Sequence, residues 1–187
     1  VKIPTEIYNK ICELKYLSEL TLSYYSPLLS SIGNKLTRLA ILNITNAKLF
    51  NIKFFRNLEY LKIPIPVNKT LDLSNIYNIR HVYCMMYSLH QIYFNKNIRY
   101  ENVNLFFQEN VDKLKLTVDK IVLCSRYLNC DTMLDLSECE INKLILRNRI
   151  KVVNFPKGLT EINLYRMVSY SFSDFPDSVE KIFIEEY

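Results

Sequence analysis

The side chains best suited to nucleophilic or metal chemistry in this sequence are five cysteines and two histidines. The cysteines are Cys12, Cys84, Cys124, Cys130 and Cys139. Zinc sites and redox pairs need two cysteines a few residues apart, and no CxxC pair occurs. An odd number also leaves no complete disulfide framework. The spacing therefore favours reduced, mostly buried thiols and suggests an intracellular setting.

Other constellations that catalyse reactions or bind cofactors are also absent from the sequence. The two glycines, Gly33 and Gly158, stand far apart, which excludes a glycine-rich phosphate loop. His81 and His90 belong to no HExxH motif, and no GxSxG nucleophile phrase occurs. One turn-rich stretch carries carboxylates spread as on a solvated surface, namely Asp131, Asp135, Glu138 and Glu140. We therefore expect no enzyme activity, no cofactor and no metal site.

Bulk composition limits the remaining classes of partner. The 187 residues are 49% hydrophobic and 23% charged, which is typical of one globular domain. The formal net charge is +5, but basic residues alternate with acidic ones and form no stripe, so we expect no nucleic-acid partner. There is no signal-peptide pattern and no apolar run of about 18 residues. We therefore predict no membrane span and favour the cytoplasm over a secreted or surface location.

A six-residue phrase, apolar-x-x-apolar-x-apolar, recurs nine times along the chain. The copies are LSELTL at 17–22, LAILNI at 39–44, LEYLKI at 58–63, IRHVYC at 79–84, YENVNL at 100–105, VDKIVL at 118–123, INKLIL at 141–146, LTEINL at 159–164 and VEKIFI at 179–184. Successive copies begin about 20 residues apart. Spacing of this regularity is the signature of a repeat architecture.

Each copy ends in a pattern that suits a β-strand. Alternate side chains of a strand point to opposite faces, so Leu20 and Leu22 of the first copy point inward and Thr21 points outward. One such strand cannot bury its inner face alone, whereas stacked copies bury a continuous core and pair in a parallel sheet. The connections show little helical periodicity, so we predict short 3₁₀ or extended returns. One helix is predicted near the N-terminus, at about residues 4–15.

The phrase resembles the leucine-rich-repeat family, whose units follow LxxLxLxxN/CxL. The second copy, from Leu39 to Leu49, fits with Ala47 at the Asn/Cys position, and the stretch IPTEIYNKICELKYLSEL is similar to the family's IPxEIxxLxxLxxL phrase. Cys139 takes the same ladder position, where the resemblance implies a buried thiol that donates to the backbone. The implied fold is an α/β leucine-rich-repeat solenoid, a horseshoe with a parallel concave sheet, little helix and about nine repeats of about 20 residues.

This interpretation makes the chain a single domain, with a helical, cap-like segment at 1–16 and repeats at 17–187. The last strand, IFIEEY at 182–187, would expose its edge, which allows edge-to-edge self-association.

Two features leave the repeat phase open. The second copy can begin at Leu36 instead of Leu39, because an extra residue interrupts the family phrase there. Apolar segments also lie between copies, at 71–74, 89–94, 111–116 and 134–137. We interpret them as extended segments on the convex side, and the alternative is that they are themselves the concave strands.

In leucine-rich-repeat proteins the outward strand positions form the ligand surface, so the resemblance implies which residues contact a partner. The candidate partner-binding residues are Tyr60, Lys62, Arg80, His81, Tyr83, Asn104, Phe106, Lys120, Lys143, Ile145, Asn163, Tyr165 and Phe183. Exposed aromatic side chains beside cations suit a protein or peptide surface, because tyrosine and arginine anchors dominate affinity at interfaces.

The resemblance therefore implies a protein-interaction module that binds a protein or peptide partner through its concave face. One alternative is the substrate receptor of a ubiquitin ligase, because IPTEIYNKIC loosely resembles the start of an F-box. That motif needs more residues than those that precede Leu17. Another alternative is a surface-exposed or secreted recognition protein of the adhesin type, against which free thiols would argue.

Overall fold

A computed structural model of the chain describes residues 4–24, 27–43, 52–67, 69–108, 113–125, 132–148, 150–165 and 174–185. Over these residues the chain forms a parallel-strand β-solenoid of about seven turns with little helix. Several features singled out in the sequence, among them Ala47, Cys130 and Asp131, lie outside the described residues.

The predicted N-terminal helix is present as α1 (Thr5–Glu13). Pro4 precedes it with a φ of −56°, which is already close to helical, and the acidic Glu6 lies in the first turn where it complements the helix dipole. Only one side of α1 packs against the core, through Ile11 and Cys12. The helix therefore begins the solenoid as a half-exposed end layer and is not part of its interior.

The described residues form thirteen strands. In chain order they are β1 (Glu19–Tyr24), β2 (Arg38–Asn43), β3 (Tyr60–Pro64), β4 (Leu71–Asp72), β5 (His81–Met85), β6 (Ile92–Tyr93), β7 (Arg99–Phe107), β8 (Thr117–Ser125), β9 (Thr132–Asp135), β10 (Glu140–Arg147), β11 (Ile150–Asn154), β12 (Glu161–Tyr165) and β13 (Lys181–Glu185). Nine of them form the main sheet, in the order β1-β2-β3-β5-β7-β8-β10-β12-β13. All neighbours in this sheet are parallel, and each strand overlaps one copy of the apolar phrase.

Inward positions of the main sheet make a continuous core. Strands β3, β5 and β12 alternate strictly between half-exposed and buried residues, so that Leu61 and Val82 face inward beside each other. Tyr100 and Phe107 of β7 are fully buried in the same core. Burial of one such large apolar side chain stabilises the fold by about 1.5–3 kcal/mol. The stacked phrase thus provides the main driving force for the architecture.

The segments between copies are extended returns outside the main sheet. Strands β4 and β6 pair with each other, and β9 pairs with β11, in two separate parallel two-stranded sheets. The LDLS phrases therefore lie in extended segments outside the nine-stranded sheet, whose strands overlap the copies of the phrase.

The second copy begins at Leu36 and not at Leu39. Leu36, Leu39 and Ile41 are buried, whereas Leu42 is 44% exposed. Leu39 pairs in register with the inward Leu20 of β1. Four successive residues of β2, from Leu39 to Leu42, are apolar. The core buries Leu39 and Ile41, because these two are in register with the inward residues of β1.

Side-chain hydrogen bonds also join one turn to the next. The Asn57 Nδ2 donates to the carbonyl oxygen of Asn34 at 2.6 Å, and the Asn78 Nδ2 donates to that of Arg56 at 3.1 Å. In each pair the donor stands just before an inward apolar residue of the phrase, about one turn after its acceptor. These side-chain amides provide hydrogen bonds for backbone carbonyl groups that lie outside the strands. They thereby help to fix the spacing between turns.

Cys139 makes a bond of the same kind from a buried thiol. Its Sγ donates to the backbone carbonyl oxygen of Leu114 at 3.0 Å, and the side chain is 2% exposed. The expectation that this thiol is buried and donates to the backbone is confirmed. Burial raises the pKa of Cys139 to about 12, so the thiol keeps the proton that it donates.

Candidate partner-binding surface

The outward side chains of the main sheet stand in three rows, because the parallel strands are in register. The first row is Glu19, Arg38, Tyr60, His81, Asn102, Lys120, Lys143, Glu161 and Lys181. The central row is Thr21, Ala40, Lys62, Tyr83, Asn104, Val122, Ile145, Asn163 and Phe183. The third row is Pro64, Met85, Phe106, Cys124, Arg147, Tyr165 and Glu185. We call the three rows together the outward face.

All candidate residues except Arg80 lie in these rows. Arg80 precedes β5, and its guanidinium donates to the carbonyl oxygens of Tyr77 at 3.1 Å and Ile79 at 3.4 Å. Because neighbouring residues of an extended chain point to opposite sides, Arg80 and His81 do not both face outward. Ile145 lies in the central row but is only 7% exposed, and Val122 beside it is 6% exposed. The central row is therefore closed at β8 and β10, and its accessible residues lie on the strands to either side.

Tyr83 and Phe106 form the aromatic centre of the outward face. Their ring centroids lie 5.0 Å apart across β5 and β7, at an interplanar angle of 36°. The Lys62 ammonium stands 4.9 Å from the centroid of the Tyr83 ring, within the range of a cation–π contact. All three side chains are half-exposed. The arrangement holds two aromatic rings and a cation in fixed positions on a rigid sheet.

The first row extends this aromatic surface toward β2. The Arg38 guanidinium lies 4.4 Å from the centroid of the Tyr60 ring, and Tyr60 and His81 are adjacent at 6.5 Å between centroids. His81 is held from both ring nitrogens. Its Nδ1 accepts from the Asn102 Nδ2 at 3.3 Å, and its Nε2 lies 3.3 Å from a carboxylate oxygen of Glu101. These contacts fix the orientation of the imidazole ring.

The other end of the outward face carries paired charges and a second aromatic group. Lys143 and Glu161 form an ion pair between β10 and β12. The Arg147 guanidinium stands 5.3 Å from the centroid of the Tyr165 ring. Phe183 on β13 is 49% exposed. This end thus carries charges of both signs, and its aromatic rings remain accessible.

An apolar pocket of about 190 Å³ lies at the third row, and we did not predict it from the sequence. Its lining residues are Pro64, Ile65, Pro66, Val67, Met85, Met86, Tyr87 and Gln108. Pro64 and Met85 belong to the third row, so the pocket adjoins the position of Phe106. The sequence signal that could have found it is the run PIPV at 64–67, because two prolines end the pairing of β3 and leave its apolar residues at the rim.

Gln91 fixes the walls of this apolar pocket. Its Nε2 donates to the carbonyl oxygens of Pro66 at 2.6 Å and Lys69 at 2.8 Å. Its Oε1 accepts from the backbone N–H groups of Tyr87 at 2.8 Å and Ser88 at 2.9 Å. One buried amide therefore ties the segments that follow β3 and β5 to each other, and the pocket is preformed.

Among the described residues, no group of three or more His, Cys, Asp or Glu side chains is arranged to hold a metal ion. The four described cysteines carry free thiols. None of the helices in the described ranges has the length and apolar character needed to cross a membrane. Comparisons with known proteins found no matching family, no similar curated protein and no similar solved structure.

Proposed function

We propose that the chain is a leucine-rich-repeat protein-interaction module that binds a protein or peptide segment through its outward face. In this proposal the strands of the main sheet mark nine repeats, and the outward face is the concave face of a horseshoe. The strand that overlaps each copy of the phrase supports it. The free thiols of the described cysteines suit a reducing compartment such as the cytoplasm.

The observation that carries the proposal is the group formed by Lys62, Tyr83 and Phe106. Aromatic side chains contribute most to binding when they are held rigidly, because little conformational entropy is then lost on association. The contacts among these three residues supply that rigidity while leaving each side chain half-exposed. The apolar pocket beside Phe106 adds a concave site for one side chain of the partner.

The test is a selection of short random peptides displayed on phage against the purified chain. Binding of enriched peptides is then measured by fluorescence anisotropy with Tyr83→Ala and Phe106→Ala variants. We expect each variant to weaken binding about tenfold or more, as for truncation of an interface anchor. The matched control is Tyr93→Ala, which removes a tyrosine that is 55% exposed on β6, outside the main sheet.

The control variant should bind the peptides as the unchanged chain does. A selection that enriches no peptide, or peptides that bind all three variants equally well, would contradict the proposal. Circular dichroism spectra of the variants check that each substitution leaves the sheet intact.

A further inference from the structure

The charges of the outward face are unevenly distributed along the solenoid. Its carboxylates stand at the ends, with Glu19 on β1 and Glu161 and Glu185 on β12 and β13. The three rows between β3 and β8 hold twelve described residues, which include Lys62 and Lys120 and no carboxylate. The middle of the face therefore has a positive potential that its own residues leave uncompensated.

Two first-row cations are neutralised within the chain. Arg38 pairs with Glu19 at 3.5 Å, and Lys143 pairs with Glu161. Lys120 differs, because no ion pair joins it to a carboxylate in the described part of the chain, and its neighbour in the first row is Lys143.

Two carboxylates stand beside the middle of the face, and each has a partner within the chain. Glu101 contacts His81, and Asp119, which precedes Lys120, pairs with Arg99. Lys120 and Lys62 thus remain the cations of this region that an external carboxylate can reach. Charge complementarity then favours an acidic partner.

Resting on the proposed function above, we propose that the partner is an extended acidic protein segment with one apolar anchor. The anchor fills the apolar pocket beside Phe106, and the acidic residues lie over Lys120. Strands lie about 4.8 Å apart and rise about 3.4 Å per residue, so the diagonal from the pocket to Lys120 is roughly 17 Å. An extended segment covers that distance in about five residues.

A nucleic-acid strand fits the same face less well. It carries one phosphate per nucleotide and needs a track of several cations, whereas this region offers two lysines and a pocket of mostly apolar lining. A peptide that combines an apolar side chain with carboxylates complements both the pocket and the two lysines.

The first test is the composition of the peptides enriched on the unchanged chain. We expect an apolar residue with two or more acidic residues about five positions away. Neutral or basic peptides that still require Tyr83 would overturn the acidic assignment and leave the proposed function standing. If no peptide is enriched, the proposed function fails, and this assignment fails with it.

The second test reverses charge at Lys120. We expect Lys120→Glu to weaken binding of an enriched acidic peptide about tenfold and to reduce its salt dependence. A peptide with lysines in place of its acidic residues should bind Lys120→Glu more tightly than it binds the unchanged chain. The control is Lys151→Glu, an equal change of charge at an exposed position of β11 outside the main sheet.

Equal affinities for Lys120→Glu and Lys151→Glu would overturn the assignment, as would failure of the charge-swapped peptide to prefer Lys120→Glu. Displacement of the acidic peptide by an equal concentration of single-stranded oligonucleotide would also overturn it, in favour of nucleic acid. If unlabelled acidic peptides displace the bound peptide and the oligonucleotide does not, the assignment is supported.

Discussion

Two buried cysteines of this chain have the same burial and different partners. Cys84 and Cys139 are both almost fully buried, and desolvation raises the pKa of each thiol far above its usual range. Cys139 donates its proton to the carbonyl oxygen of Leu114, whereas Cys84 only fills space in β5. Because both thiols stay protonated at neutral pH, neither is suited to act as a nucleophile.

Replacing each of these cysteines by alanine separates packing from hydrogen bonding. Both Cys84→Ala and Cys139→Ala create a small cavity, which costs roughly 1 kcal/mol. Cys139→Ala also leaves the Leu114 carbonyl without its donor, which costs about 1–3 kcal/mol more. Urea denaturation should therefore show the larger loss of unfolding free energy for Cys139→Ala. Equal losses would mean that the thiol contributes by packing alone.

At the scale of elements, the two glycines serve different needs of the connections. Gly33 begins a 3₁₀ turn at Gly33–Lys35, and a Cβ there would overlap the backbone carbonyl oxygen of Phe54 in the following turn. Gly158 has a φ of +73°, with only the Cγ of Glu140 as close as 4.0 Å to an added Cβ. The first position requires glycine for close approach, and the second requires it for a left-handed backbone.

Alanine substitutions should distinguish these two requirements. Gly33→Ala forces neighbouring backbone apart and should cost about 2–3 kcal/mol of unfolding free energy. Gly158→Ala meets no obstacle and should cost about 1 kcal/mol from backbone strain. Gly158→Asn should recover part of that loss, since asparagine tolerates the left-handed region. Thermal or urea unfolding measures all three, and a Gly33→Ala variant no less stable than Gly158→Ala would contradict the steric account.

The strands could be predicted where inward and outward residues alternate clearly in the sequence. Where they do not, the start of the repeat could not be predicted. The last four residues of LEYLKI and of LTEINL alternate between outward and inward positions, and both copies form strands where predicted. In the second copy Leu39, Ala40, Ile41 and Leu42 are all apolar, so the sequence offers two alternating sets. Only the register with β1 selects Leu39 and Ile41 for the core. A local pattern cannot contain that long-range constraint.

The outward face shows the same division between local and long-range information. Alternation alone gave most of its residues, because the position between two inward side chains must face outward. The burial of Val122 and Ile145 depends on neighbouring strands and was not predictable from their own copies. The apolar pocket depends on Gln91, whose bonds reach back 22 and 25 residues to Lys69 and Pro66. A six-residue phrase carries no information about contacts between residues so far apart in the sequence.

At the scale of the whole molecule, the solenoid is nearly one-dimensional. The main sheet follows chain order, and each strand pairs only with the strand before it and the strand after it. A strand at one end, such as β3, therefore shares no direct interface with one at the other end, such as β12. In such an array stability is approximately a sum of the stabilities of units and of their nearest-neighbour interfaces. Damage to one unit should then remain local.

Two matched leucine substitutions test that locality. Leu61 on β3 and Leu164 on β12 both face inward and are buried. Leu61 is the second apolar position of its copy, and Leu164 is the third. Each change to alanine should cost about 2–5 kcal/mol in its own unit. Native-state hydrogen exchange of Leu61→Ala should show lost protection in β2, β3 and β5 and retained protection in β10 and β12, with the reverse for Leu164→Ala. Uniform loss of protection along the chain in both variants would instead show that the described solenoid unfolds as one cooperative unit.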